Sequence, residues 1–271
     1  MSEIVWSAAM AHTAAMMRLP EDTDPSQAER VFGAFDRLSR TLKSSGAEVL
    51  VMVGTDHMMT FSYETVPAFA IGTGEAFPSW GEAGTEKTSY EAVEGLGEDV
   101  VARLLERDFD VAGVAEMRLD HAFNCPLNFL FKHVRLPVLP VYVNCTIPPL
   151  PRHQRCLAFG EALGAVLREQ GLAGKVGVVG TGGLSHWIGL PQTGLINEEF
   201  DRDFLAGLEA GDFAGLAALD SDTVIESAGN GAGEIRNWLV AAAASGKSRS
   251  HTLTYEPVSA WKTGIGAVEF T

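Results

Sequence analysis

Positive charge is scarce in this chain: 20 Lys and Arg stand against 35 Asp and Glu, giving a formal net charge of -15. A polyanion would meet a repulsive field that grows as salt falls, so nucleic acid is excluded as an expected ligand. Cysteine is scarcer still. Cys125, Cys145 and Cys156 are odd in number and lack CxxC spacing, so they read as small buried thiols of a reducing compartment, not as a disulfide framework. No apolar run approaches the roughly 18 to 20 residues that cross a bilayer. The N-terminus carries Glu3 where a secretion signal would carry basic residues, so a cytoplasmic location is expected. No repeat, low-complexity linker or composition break divides the chain. With 271 residues and 46% apolar content, one domain spanning 1–271 is the expectation.

What is present is an alternation of short apolar runs with helical patterns. Ile4 to Ala9 and Val49 to Val53 have strand length, and the second is rich in β-branched residues. Between them Val31, Phe32, Phe35, Leu38 and Leu42 recur at helical spacing, opened by Pro25 and Ser26 and stopped by Gly46. Val111 to Ala115, Val138 to Val143 and Val176 to Val179 are further strand candidates, and helical patterns over Val93 to Leu105 and Leu157 to Leu167 precede two of them. This order predicts an α/β fold with a central mostly parallel or mixed sheet covered by helices on both faces. Ligands then gather beyond the carboxyl ends of the strands. His12, His57, Asn144 and His186 all follow predicted strands closely. The Gly/Glu-rich region Gly72 to Gly97 is the expected long excursion, a lid or an oligomer contact.

Taken singly, the chemistry-bearing residues are weak signals. A lone histidine usually packs or lies on the surface. Gly54-Thr55-Asp56-His57 adds a turn that would project His57 from the sheet edge. Glu234 opens the apolar helix Ile235 to Ala244, where a carboxylate simply complements the helix dipole. The glycines before it would let the backbone approach a ligand closely. Two imidazoles and one carboxylate on one face of a metal are the donor set of non-haem iron(II) oxygenases. Gly180-Thr181-Gly182-Gly183 could cradle phosphate, but it lacks the Lys-Ser/Thr of a P-loop and the third glycine of the dinucleotide fingerprint. A tight turn presenting His186 is the alternative. Arg152 and Arg155 would either orient an anionic substrate group or form a solvated helix start. His133, His153 and His251 are expected on the surface or in packing.

Six stretches taken together resemble the class III extradiol ring-cleaving dioxygenases, in particular the family of the protocatechuate 4,5-dioxygenase catalytic β subunit. They are Ala11-His12-Thr13, Gly54-Thr55-Asp56-His57, Asp120-His121, Val143-Asn144-Cys145-Thr146-Ile147-Pro148-Pro149-Leu150-Pro151, Gly180-Thr181-Gly182-Gly183-Leu184-Ser185-His186 and Gly233-Glu234-Ile235. They occur in the family's order over nearly the whole chain. The resemblance implies Fe(II) bound by His12, His57 and Glu234, with His186 as acid/base residue and His121 beside the substrate. Thr13 and Asn144 are candidate substrate contacts within the matching stretches, and Arg152 is the candidate partner of an anionic group.

The implied reaction is ring cleavage beside a hydroxyl pair of a catechol-type aromatic such as protocatechuate or gallate, with both atoms of dioxygen entering the product. A 2-aminophenol or dihydroxypyridine dioxygenase is the nearest alternative. A non-catalytic, Memo-like metal-binding protein is the alternative of another kind. The family includes homo-oligomers and complexes with a small partner subunit, and either arrangement is expected here.

Overall fold

A computed structural model describes residues 2–271. Ten strands form: β1 (Glu3–Met10), β2 (Val49–Gly54), β3 (Phe69–Gly72), β4 (Ala76–Pro78), β5 (Ser89–Glu91), β6 (Ala112–Val114), β7 (Val138–Val143), β8 (Lys175–Thr181), β9 (Ser250–Val258) and β10 (Thr263–Phe270). Eight of them make one mixed sheet in the order β6-β3-β7-β2-β8-β1-β10-β9, and β4 pairs with β5 separately. The four central strands β7, β2, β8 and β1 run parallel. Antiparallel contacts of β3 with β7 and of β10 with β1 flank them. The mixed α/β sheet expected from the alternating pattern is therefore present.

The central strands are parallel because helices cross between them, and they read as continuous apolar runs because both faces are covered. All six residues of β2 and all six of β7 are buried. The helix Pro25–Ser45 covers one face: Asp24 caps its start, Pro25 occupies the first turn, and Gly46 ends it in the left-handed conformation at φ 71°. Its buried stripe is Ala28, Val31, Ala34, Phe35, Leu38, Ser39 and Leu42.

On the other face the helices His153–Leu167 and Ile235–Ser245 cross closely. A Cβ at Gly160 would stand 2.4 Å from the Val240 carbonyl oxygen, and one at Gly164 would stand 2.4 Å from that of Ala244. Only glycine permits that approach, and it presses Ile235–Ser245 onto the sheet. Gly180 of β8 serves the same contact, since a Cβ there would lie 2.5 Å from the Asn237 carbonyl oxygen. No helix among the described residues is long and apolar enough to cross a membrane.

The excursion expected over Gly72 to Gly97 contains the β4–β5 pair and the connecting segment that carries Glu82. Three helices between His186 and Glu234, at Glu198–Ala210, Phe213–Ala217 and Ser221–Ala228, had no prediction.

Candidate metal and substrate site

The four parallel strands end on one side of the sheet, and each end delivers one of the residues singled out from the sequence. His12 follows β1, His57 follows β2, Asn144 follows β7 and His186 follows β8. Asp56 sets the turn after β2: its carboxylate accepts from the backbone N–H groups of Met59 at 2.9 Å, Thr60 at 3.1 Å and Phe61 at 3.0 Å. This turn holds His57 inward.

His12, His57 and His121 form a cluster in which one ligand-capable atom of each lies within 4.8 Å of the others. The rings of His57 and His121 stack at a centroid separation of 4.2 Å and an angle of 15°, and His12 stands edge-on to both at 5.7 Å.

Each imidazole is tied at Nδ1. The Thr181 hydroxyl donates to the Ala122 carbonyl at 3.2 Å, so its lone pair receives His12 Nδ1–H at 2.9 Å. Asp120 Oδ2 accepts from the His57 backbone N–H and from His57 Nδ1, both at 2.8 Å. Glu82 Oε1 accepts from His121 Nδ1 at 3.1 Å and also from the His121 backbone N–H. His186 Nδ1 donates to the Leu184 carbonyl at 2.9 Å. With Nδ1 protonated and anchored, a neutral ring keeps its lone pair on Nε2, the arrangement that orients metal-binding and proton-accepting histidines.

Glu234 stands beside the cluster, its Oε1 3.3 Å from His57 Nε2. It is 2% exposed and ends the short 3-10 turn Asn230–Glu234 directly before the helix Ile235–Ser245. The next residues lock it. Arg236, fully buried, donates to the Pro151 carbonyl at 2.7 Å, the Gly233 carbonyl at 2.9 Å and the Ser221 hydroxyl at 2.7 Å. Asn237 Nδ2 donates to the Thr181 carbonyl at 2.7 Å, and Trp238 Nε1 donates to the Gly182 carbonyl at 3.1 Å.

The glycine-rich turn after β8 packs beneath the carboxylate. Gly183 N–H donates to Glu234 Oε2, and a Cβ at Gly182 would stand 2.5 Å from Glu234 Cβ. The turn thus cradles a side-chain carboxylate of the protein itself, where a sequence reading had to weigh an external phosphate.

The remaining oxygen, Oε1, is buried without a hydrogen-bond partner among the described residues and faces His57 Nε2 at 3.3 Å. An orphaned carboxylate oxygen opposite an imidazole nitrogen is a costly pairing in a buried place unless a proton or a cation lies between them. The donor set fits a divalent metal of the imidazole-and-carboxylate type.

The electrostatics agree. Burial pushes His12 down to about 3 and so keeps it neutral. Burial also opposes charge on Glu234, but His12, His57 and His186 outweigh it and hold the carboxyl down at about 2. At His57 burial is likewise outweighed, here by Asp120 and Glu234, and the ring is raised well above its ordinary value. Burial and the neighbouring His57 lower His121. Without a cation, then, a proton on His57 offsets the buried carboxylates, and a metal would displace it.

The other predicted residues are distributed unevenly. Thr13 and His186 share a cleft of about 430 Å³ beside the cluster. Thr13 also caps the short helix Ala14–Arg18 by accepting from the Ala15 N–H at 3.4 Å. Asn144 is 2% exposed, and its side chain builds the turn after β7 by donating to the Ile147 carbonyl at 2.6 Å and accepting from the Ile147 N–H at 3.0 Å. Arg152 is not brought to the histidines' cleft. It lines a separate cleft of about 450 Å³ with Asp220, Ser221 and Asp222. That cleft is slightly larger, and His186, which lines the first cleft, is not among its residues. His153 is buried and donates to the Leu219 carbonyl at 2.8 Å, while His133 meets Asp36 at 2.8 Å.

Sequence reasoning missed three anchoring roles. Thr181 was seen only as part of a turn, Asp120 only as the neighbour of His121, and Glu82 not at all. The usable signal was modest: Asp120 precedes a helix and so had to be a cap, which it is through Ala122 N–H at 3.0 Å.

Residues 7–266 match the family described as the catalytic LigB subunit of aromatic ring-opening dioxygenase. A Photorhabdus laumondii protein named 2,3-dihydroxyphenylpropionate/2,3-dihydroxicinnamic acid 1,2-dioxygenase is 27% identical over 92% of this chain and 91% of its own. A Mycolicibacterium gilvum protein of the same name is 32% identical over 73% of this chain and 75% of its own. The crystal structure of an uncharacterized Escherichia coli K12 protein superposes with a TM-score of 0.61 at 14% identity, covering 98% of this chain and 100% of that one, which speaks to the fold alone. These relatives carry the dihydroxyphenylpropionate name, whereas the sequence stretches had pointed to the protocatechuate branch.

Proposed function

We propose, from the premise that this chain belongs to the family of the catalytic LigB subunit of aromatic ring-opening dioxygenases, that it holds Fe(II) through His12, His57 and Glu234 and opens a catechol ring beside its hydroxyl pair. The family is one of extradiol dioxygenases, so the chain is an oxidoreductase of that type acting on catechol-type rings. The observation that supports the metal assignment is the approach of His12, His57 and His121 within 4.8 Å, with the buried Glu234 Oε1 3.3 Å from His57 Nε2.

Bound there, Fe(II) supplies a Lewis acid for the ring oxygens and electrons for dioxygen. The side chains do the rest. His186, held at Nδ1 by the Leu184 carbonyl, offers Nε2 to accept a proton from a ring hydroxyl and to return it after oxygen has been added. His121, held at Nδ1 by Glu82, offers its other nitrogen to a substrate oxygen. Both atoms of dioxygen enter the ring-opened acid, so no external reductant is consumed. Thr13 lies in the cleft that would receive the ring.

The relatives' names direct the substrate choice to 2,3-dihydroxyphenylpropionate or the corresponding cinnamic acid, ahead of protocatechuate and gallate. Anaerobic iron loading followed by oxygen uptake across these four acids, a 2-aminophenol and a dihydroxypyridine tests the reading. Uptake with the dihydroxyphenyl acids is expected. Iron-loaded protein that consumes oxygen with no catechol would overturn it, and uptake confined to the nitrogen analogues would move the assignment to them. We further infer one catalytic domain over 1–271, working in the cytoplasm as a homo-oligomer or with a small partner subunit. Light scattering of the purified chain distinguishes the two assemblies.

A further inference from the structure

The cleft beside Thr13 and His186 is walled by Arg18, Trp187, Trp261 and Lys262, and no Asp or Glu lines it. In a chain with 35 acidic and 20 basic residues, a wall bearing two cations and no acid runs against the bulk composition. Neither cation has an ion-pair partner among the described residues, a state they share with Arg152 and other cations of the chain, while Arg30, Arg37, Arg40, Arg103, Arg107, Lys132 and Arg202 are paired. An exposed cation left free in an acidic protein exerts an unneutralised local field.

The backbone also holds these two residues in place. Lys262 occupies the left-handed region at φ 57°, a conformation that costs a non-glycine residue energy and persists where its surroundings impose it. Trp261, 1% exposed, fixes it from one side through Nε1–H donated to Thr23 at 3.1 Å, and β10 begins immediately on the other side. Arg18 is the last residue of the helix Ala14–Arg18, which starts at the residue after Thr13. Five helical steps separate Thr13, next to His12, from Arg18, a distance of about 7 to 8 Å along the axis. That is a span suited to a ring at the histidine end with a short acid arm reaching the cationic end. Trp187, only partly buried, supplies an apolar wall for the ring.

We propose that Arg18 and Lys262 form a subsite for an anionic substituent on the substrate ring, so that the enzyme selects catechols bearing a carboxylate arm over catechols without one. This deepens the ring-cleavage reading and rests on it for the position of the ring. It also transfers the anion-orienting role expected of Arg152 to a different pair of cations, because Arg152 lines another cleft.

The test is a ratio of affinities measured within each protein. Anaerobic titration of 2,3-dihydroxyphenylpropionate and of 3-methylcatechol, followed by tryptophan fluorescence, gives the preference for the acid without turnover, and kcat/KM for the same pair gives it with turnover. The Arg18→Met, Lys262→Met double variant is expected to lose the preference by about tenfold or more, the scale of a charge-assisted contact. Lys262→Arg with Arg18 intact is expected to keep it. A preference preserved within about twofold in the double variant overturns the subsite, as does a wild-type protein that binds both catechols equally. A chain that opens no ring, yet loses its binding preference in the double variant, would sink the ring-cleavage reading and support the anionic subsite.

Discussion

Thr181 Oγ1 lies 2.9 Å from His12 Nδ1, and its own proton goes to the Ala122 carbonyl 3.2 Å away, so the threonine fixes which nitrogen of His12 stays bare. Thr181→Val keeps the shape and removes the acceptor. The buried His12 ring then has no partner for Nδ1–H and no preference for the metal-binding tautomer. Metal affinity is expected to fall by about 10- to 100-fold, the usual cost of losing such a partner. Competition against a chelator, alongside an unchanged far-UV spectrum, checks this. Unaltered affinity would mean that Thr181 does not orient the ring.

Glu234 and His186 lie near enough to interact electrostatically, yet their removal should separate two properties. Glu234→Ala takes away the oxygen that faces His57 and also leaves the Gly183 N–H without its acceptor. Bound iron should be lost on purification. His186→Ala leaves that pair intact, so iron is retained while kcat falls by about 10²- to 10⁴-fold, the range of general acid/base catalysis. Metal analysis and turnover on the same preparations decide both assignments. A fully iron-loaded Glu234→Ala protein would contradict ligation, and undiminished turnover of His186→Ala would contradict proton transfer.

The contrast between these residues and their anchors explains what the sequence could reveal. Strand ends, the Pro25 start and the Gly46 stop are local signals, written within a few residues, and Val138–Val143 forms where the apolar run predicted. The cluster of His12 and His57 follows from strand order alone, because parallel strands finish on one side. The anchors are different. Asp120 serves His57 from 63 residues away, and Thr181 serves His12 from 169 residues away, so only the packed fold relates them. Strands β3 and β10 escaped notice for another reason. β3 has only four residues, and Gly264 and Gly266 interrupt the alternation of β10. Arg152 was placed with the substrate on charge alone, and charge carries no information about which of two clefts a loop lines.

Glu82 reaches the site from the Gly72 to Gly97 excursion and holds His121 at both its backbone N–H and Nδ1. Its second oxygen, Oε2, is buried without a partner among the described residues. Glu82→Ala should release the His121 ring and lower kcat by about tenfold or more while iron content stays high, because the excursion supplies none of the three proposed ligands. Glu82→Gln retains an oxygen that can accept from His121 and should recover most of the loss. If alanine and glutamine behave alike, the carboxamide has not rescued the contact and the residue acts on loop structure only. An unchanged kcat in both would remove His121 positioning from the account.

Asp201 is fully buried and accepts from the Ser185 N–H at 2.7 Å, the Ser185 hydroxyl at 2.8 Å and the Tyr255 hydroxyl at 2.8 Å, which fixes the backbone immediately before His186. Burial raises its carboxyl from 3.8 to about 6, although the three hydrogen bonds pull the other way. The folded protein therefore holds this proton more tightly than the unfolded chain. Its contribution to stability is complete below about pH 4 and is lost as pH rises through about 6, amounting to about 3 kcal/mol at most. Asp201→Asn does not titrate, so the stability of wild type relative to that variant should decline between pH 4 and 7. Denaturant midpoints of both proteins across that range provide the measurement, and taking the difference removes the titration of every group they share. A difference that stays flat, or that grows with pH, would show that the Asp201 carboxyl is not held protonated by its burial.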